Sequence, residues 1–293
     1  MRPTRLLTSL ISATLLLLAT LLASPATQAQ ASQAGANLPA RWAPAGKAKI
    51  RPGVQMFTKG AQCTGNFVFA DRAGRAYVGY ASHCAGKGAA TDTNGCKTRS
   101  HPLGTRVRFA RGATLATNGT TVGHGTLAYS SWIKMRQLHM RRGPACAAND
   151  FALVRVSRSD RRKVNPSVPI WGGPTGLATR GAPRGSQVYS YGQSSLRPTT
   201  AFSPKTGTSL GRTNRGWGWQ VETVTPGIPG DSGSGFLNAH GRAFGTLSTV
   251  QLAPVPTSNG LGDLAHELHF AQRHSGIRGL HLVRGTVKFS PTP

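Results

Sequence analysis

Three short stretches hold residue types that together could perform acyl transfer. "YASHCA" (80–85) carries His83, "AANDFALVRV" (147–156) carries Asp150, and "PGDSGSG" (229–235) carries Ser232. A serine hydroxyl is a weak nucleophile at neutral pH. It needs a base to take its proton, and the base needs a carboxylate to fix its tautomer and stabilise its charged form. Taken singly, each residue has a plainer reading: a structural histidine, a turn aspartate, a loop serine. The three together, in the order His, Asp, Ser, argue for chemistry. The glycines around Ser232 fit the same picture, because glycine lets backbone N–H groups approach a developing oxyanion. Gly230 and Ser232 are the expected donors. Asp231 is one of only eight acidic residues in the chain, and it is expected to turn inward and hold this loop in shape.

The elements that must position these residues read as strands. The runs 66–70, 75–81, 105–110, 150–156, 186–192, 217–224 and 242–250 are rich in Val, Phe and Tyr and are bounded by turn residues. Thirty-seven glycines and nineteen prolines supply the turns between them. Many short strands without regular helices between them predict an all-β barrel or sandwich. One helix is expected over 262–274, with Asp263 as its N-cap and Leu264, Leu268 and Ala271 at helical spacing. His266 and His269 on it are not a metal pair of the H-E-x-x-H kind, since only two residues separate them.

"CTGNFVF…YVGYASHC", "NDFALVRV" and "PGDSGSG" resemble the three signatures of the chymotrypsin-like serine proteases. They are most similar to the exported bacterial branch, of streptogrisin and α-lytic type. The order of the triad residues is that family's; the α/β-hydrolases and subtilisins run in other orders, and Ser234 breaks a G-x-S-x-G elbow. The resemblance covers roughly residues 53–285. It implies an all-β fold of two antiparallel β-barrels of chymotrypsin type with a C-terminal helix. The first barrel (53–168) would carry His83 and Asp150. The second (169–285) would carry Ser232 and the helix, followed by a tail (286–293). The implied activity is a serine endopeptidase acting on polypeptides through an acyl-enzyme, with no cofactor and no metal. In "TLSTV" (246–250), Ser248 would lie near the triad aspartate and Val250 near the pocket mouth. No acidic residue lies between Thr223 and Pro229, the expected pocket base, so a small or medium apolar residue is expected before the scissile bond. Ile50, after Lys49, is a weak candidate for a cut N-terminus that would pair with Asp231.

The four cysteines form no C-x-x-C pair, and an even number in an exported chain suggests two disulfides with three possible pairings. The resemblance implies a Cys63–Cys84 bridge, with Cys96 and Cys146 then the remaining pair. Export is expected from Arg2 and Arg5, the apolar run 6–22 and Ala29/Ala31, which together read as a secretory signal over 1–31. Residues 32–52 read as a linker or short pro-segment. The expected product is secreted, extracellular and monomeric, with no stable membrane insertion. The net charge of +27 predicts non-specific adhesion to polyanions or to a cell surface. Two further functions stay open at this point: a catalytically silent basic module that binds polyanions, and an esterase-type acyl hydrolase.

Overall fold

Val, Phe and Tyr at alternate positions favour the pleated, half-buried backbone of a strand, and glycine turns return the chain to the same layer. In the computed structural model, which describes residues 42–89, 92–250 and 258–292, this produces fourteen strands. The expected signal segment lies outside the described residues. In the first half, β1 is Gln55–Thr58, β2 Ala61–Thr64, β3 Val68–Ala70, β4 Ala76–Tyr80, β5 Arg106–Arg111 and β6 Thr120–Ser130. Two short helices follow, α1 Ser131–Gln137 and α2 Pro144–Ala148, and then β7 Ala152–Val156. The second half holds β8 Gln187–Tyr191, β9 Pro204–Thr213, β10 Gly218–Thr223, β11 Gly235–Asn238, β12 Ala243–Val250 and β13 Asn259–Asp263. Helix α3 Leu264–His274 and strand β14 His281–Leu282 complete the chain.

The first half is an eight-stranded antiparallel sheet in the order β14-β3-β4-β7-β6-β5-β1-β2. Met56 (β1), Val68 (β3), Val78 (β4), Phe109 (β5), Leu127 (β6) and Val154 (β7) all pack in one buried cluster. A flat sheet would keep such distant strands apart, so the sheet curls around this core. The second half closes fully, β8-β9-β10-β13-β12-β11 and back to β8. Val188, Trp219, Val221, Phe236, Phe244 and Leu247 fill it. A third cluster joins the halves: Phe69, Phe151 and Leu153 from the first pack with Leu237, Leu264 and Leu268 from the second. The expected all-β architecture of two antiparallel barrels with a C-terminal helix is present, the second barrel closed and the first an eight-stranded antiparallel sheet curled around its core.

Helix α3 begins as its sequence predicts. The Asp263 side chain accepts the His266 N–H at 2.9 Å, satisfying one of the free amides of the first turn. Several segments differ from the sequence reading. Residues 42–52 are packed: Ile50 is fully buried and forms a parallel bridge with Val164. The segment after α3 returns to the first half, where His281 and Leu282 pair with Ala70 and Phe69. Beyond it, the Phe289 ring stands edge-on to Tyr189 at 5.4 Å. In each case an apolar side chain in a polar stretch finds a place in a core.

Candidate active site

Strand β4 runs into a tight turn, Ser82–Ala85, that carries His83. Two devices hold the turn. Cys84 is bridged to Cys63 at the end of β2. The buried Ser82 hydroxyl donates to the Phe151 carbonyl at 2.8 Å, beside Asp150. A second bridge, Cys96–Cys146, ties the loop after His83 to α2, just before Asp150. Both bridges match the expected pairs.

The Asp150 side chain is 2% exposed, and its carboxylate receives three hydrogen bonds. The His83 backbone N–H donates to Oδ1 at 2.9 Å, His83 Nδ1 meets Oδ2 at 2.6 Å, and the Ser248 hydroxyl donates to Oδ2 at 2.6 Å. An ionised carboxylate only accepts, so Nδ1 carries the proton and Nε2 is left as the ring's acceptor. Burial alone would discharge both groups. For His83 the neighbouring carboxylate outweighs burial and holds the imidazole above its ordinary range. For Asp150 burial is likewise outweighed, by the His83 charge and the hydrogen bonds, and its carboxyl is held below the ordinary range.

Ser232 sits on a loop that only glycine backbone can form. Gly230 and Gly233 take φ of +94° and +90°. The Ser232 carbonyl accepts the Thr64 N–H at 2.8 Å. A Cβ on Gly233 would lie 2.8 Å from the Ala81 amide nitrogen, so the loop abuts the strand end that leads to His83. Ser232 is half-buried while Asp231 and Ser234 on either side of its turn are fully buried. Among the described residues, no hydrogen bond joins the Ser232 hydroxyl to His83. The amides of Asp231 and Gly233 donate to Ile228 and Leu247. Those of Gly230 and Ser232 have no protein acceptor among the described residues, which leaves them available to an incoming oxygen.

Asp231 does turn inward. Its Oδ1 accepts the Ser194 N–H at 3.1 Å. Its Oδ2 meets Arg197, the Lys205 ammonium at 3.0 Å and the Ile228 N–H at 3.2 Å. Lys205 is fully buried, and burial lowers its pKa against the pull of Asp231. Nothing in the sequence singled out these two cations from thirty-five. Both pair with Asp231, the group expected to meet a cut N-terminus. Ile50, the candidate for that role, is buried in the first half with its amide on the Lys163 carbonyl.

Two buried residues escaped the sequence reading. The Asn259 Oδ1 accepts the Gly227 N–H at 3.0 Å, under the expected pocket base. The Glu267 Oε1 accepts the backbone N–H of Asp150 at 3.1 Å. A signal existed for Glu267, since it lies at i+3 from Leu264 on the apolar face of its helix. Val250 ends β12, paired with Asn259; the expectation for its side chain falls outside the described residues. Cys63, His83 and Cys84 lie close enough to suggest a metal site. Their two sulfurs are bonded to each other, so no thiolate remains to ligate.

No protein-family model matches the chain, and no curated protein matches it. Solved structures similar to it include protease A of Thermobifida fusca, at 18% identity and TM-score 0.48, covering 80% of this chain and 99% of that one. A Nocardiopsis protease is similar at 20% identity and TM-score 0.46, covering 80% and 99%. A glutamic acid-specific serine protease is similar at 16% identity and TM-score 0.46, covering 80% and 100%. At these identities nothing about the site follows from them, and its chemistry is read from its own side chains.

Proposed function

We propose that this chain is a secreted serine endopeptidase with Ser232 as nucleophile, His83 as general base and Asp150 as the group that orients His83. The observation that carries the reading is the 2.6 Å contact between His83 Nδ1 and a buried Asp150, made beside the Ser232 loop. In the first step the Ser232 oxygen bonds to the substrate carbonyl carbon as its proton passes to His83 Nε2. The oxyanion is met by the Gly230 and Ser232 amides. The carbon–nitrogen bond then breaks, and the proton on His83 goes to the leaving amine. Water, deprotonated by His83, releases the acid from Ser232 by the same steps in reverse. The pocket base between Thr223 and Pro229 holds no acid, which supports cleavage after small or medium apolar residues. Preferred cleavage of a peptide library after basic or acidic residues would contradict that preference.

The test is intact mass after fluorophosphonate treatment of the wild type and of Ser232→Ala. A single adduct on the wild type, absent from the variant, is the expected result. A folded, disulfide-bonded wild type that takes no adduct would overturn the reading. The second reading, a silent polyanion-binding module, is favoured by the +27 net charge. It predicts adhesion that falls steeply with salt and is indifferent to Ser232→Ala.

A further inference from the structure

Glu267 is buried at the point where the second half's C-terminal helix meets the first half's Asp150. We propose that Glu267 is a positioning residue for Asp150, an uncharged acid whose Oε1 fixes the Asp150 backbone by accepting its N–H. The inference rests on the serine-hydrolase reading and concerns how that site is held. Four observations carry it. Glu267 is fully buried. Its Oε1 accepts the Asp150 N–H at 3.1 Å. The carboxyl is wedged, because a Cβ at Gly262 would reach Oε1 at 2.1 Å. Its other oxygen, Oε2, has no hydrogen-bond partner among the described residues.

The absence of charge follows from the surroundings. Asp150 lies ahead of the carboxyl, Asp263 caps its own helix, Tyr129 lies beside it from β6 and Thr246 from β12. His83 lies beyond Asp150, already paired with it. Among the described residues no Lys or Arg forms an ion pair with Glu267. Ionised, it would be a third buried anion with no cation. Burial first, aided by the charges of Asp150 and Asp263, holds its carboxyl well above the usual range and outweighs the Thr246 hydroxyl and the Asp150 amide, which pull it down. A neutral acid offers the amide an oxygen without adding a charge that would change the His83–Asp150 pair. Arginine or lysine here would bring a charge, and leucine would leave the Asp150 N–H buried and unmet.

The experiment compares Glu267→Gln and Glu267→Leu by two readouts. One is the pH profile of kcat and KM on a small chromogenic substrate, corrected for active sites titrated by fluorophosphonate. The other is the titration of His83 by NMR in a Ser232→Ala background, which needs no turnover. Glu267→Leu is expected to lower kcat about 10–100-fold at similar KM, the scale of a small misplacement of a catalytic group, and to move the His83 midpoint down as Asp150 loosens. Glu267→Gln should rescue both. A fall of the His83 midpoint in the Gln variant equal to that in the Leu variant would mean a charged Glu267 and overturn the inference. So would a Leu variant with unchanged kcat per titrated site and an unchanged midpoint. Should Glu267→Leu fail to fold, Gly262→Ala displaces the same carboxyl from the opposite side and should also lower the midpoint. A wild type that takes no adduct but whose His83 midpoint responds as described would refute the protease reading while leaving the positioning intact.

Discussion

Replacing Asp231 by Asn should do far more damage than replacing the buried Lys205 beside it by Met. One carboxylate serves two cations: Arg197, whose side chain is 8% exposed, and Lys205, which is fully enclosed. Asp231→Asn leaves both without a counter-charge. Breaking a buried ion pair from one side costs about 3–5 kcal/mol. At about 2–4 °C per kcal/mol for a chain of this size, the melting temperature should fall by about 6–20 °C. Lys205→Met removes a charge that is already in excess. Its other acceptors keep donors, since the Thr225 carbonyl still receives the Thr223 hydroxyl at 2.9 Å and the Pro226 carbonyl still receives Arg197 at 2.8 Å. The unbranched methionine fills much of the vacated space and Asp231 keeps Arg197 and the Ser194 and Ile228 amides, so the carboxylate stays matched and the change should cost far less than Asp231→Asn. Function should separate the variants too. Without its anchor the loop carrying the Gly230 and Ser232 amides drifts, and phosphonylation of Ser232 should slow by about 10²–10³-fold in Asp231→Asn. Thermal unfolding followed by circular dichroism, with the phosphonylation rate on the same samples, is the assay. Equal losses in the two variants would refute the reasoning, because the cost would then lie in packing and not in unmatched charge.

Two more expectations concern pH and covalent links. In the proposed mechanism His83 must be neutral to act as a base, so kcat/KM should rise with pH through a midpoint above the ordinary imidazole value of about 6.5; a midpoint below that value would contradict the His83–Asp150 coupling. The sign for stability is the reverse. The part contributed by protonated His83 is fully present below about 6.5 and is lost as pH rises through the higher folded midpoint, which a melting series over pH would read. Cys96 and Cys146 are 50 residues apart, so replacing both by Ala should cost about 4 kcal/mol in the chain-entropy account. A melting temperature unchanged by that double replacement would mean that α2 and the His83 loop are held by packing alone.

The parts of this molecule that were legible in the sequence are those where local pattern and tertiary role agree. Runs such as "AYVGY" and "ALVRV" are short, almost continuously apolar and rich in Val and Tyr, and they became the buried strands β4 and β7. Asp263 followed by a 3.6-residue apolar period gave the start of α3 to the residue. His83 and Asp150 were legible beside a cysteine and at the entry of an apolar strand, whereas Ser248 was placed near Asp150 only through the family resemblance of "TLSTV". Strand β9, "PKTGTSLGRT", was not, because it has almost no apolar side chain. It exists because β8 and β10 each offer it a ladder, and pairing of that kind leaves no mark in composition. Strand β6 is eleven residues long, but Gly123, His124 and Gly125 interrupt its pattern. Gly125 is small because a Cβ there would meet the Arg155 carbonyl of β7 at 2.6 Å. Arg197 and Lys205 were hidden by abundance, since a buried cation looks like any other when one residue in eight is basic.

The return of β14 to β3 sets the order in which the molecule can be finished. Ala70 waits for His281, about two hundred residues later in the chain. Whichever end is made first, the edge of the first sheet stays bare until the far end arrives. Closing so long a loop is slow, though its entropic cost grows only with the logarithm of its length. Until then neither half has its full set of neighbours, since α3, which shares a buried cluster with both, lies just before that strand in the chain. The two halves therefore share one final assembly step and should come apart in one cooperative transition. An exposed strand edge during that wait is also where two unfinished chains would first find each other.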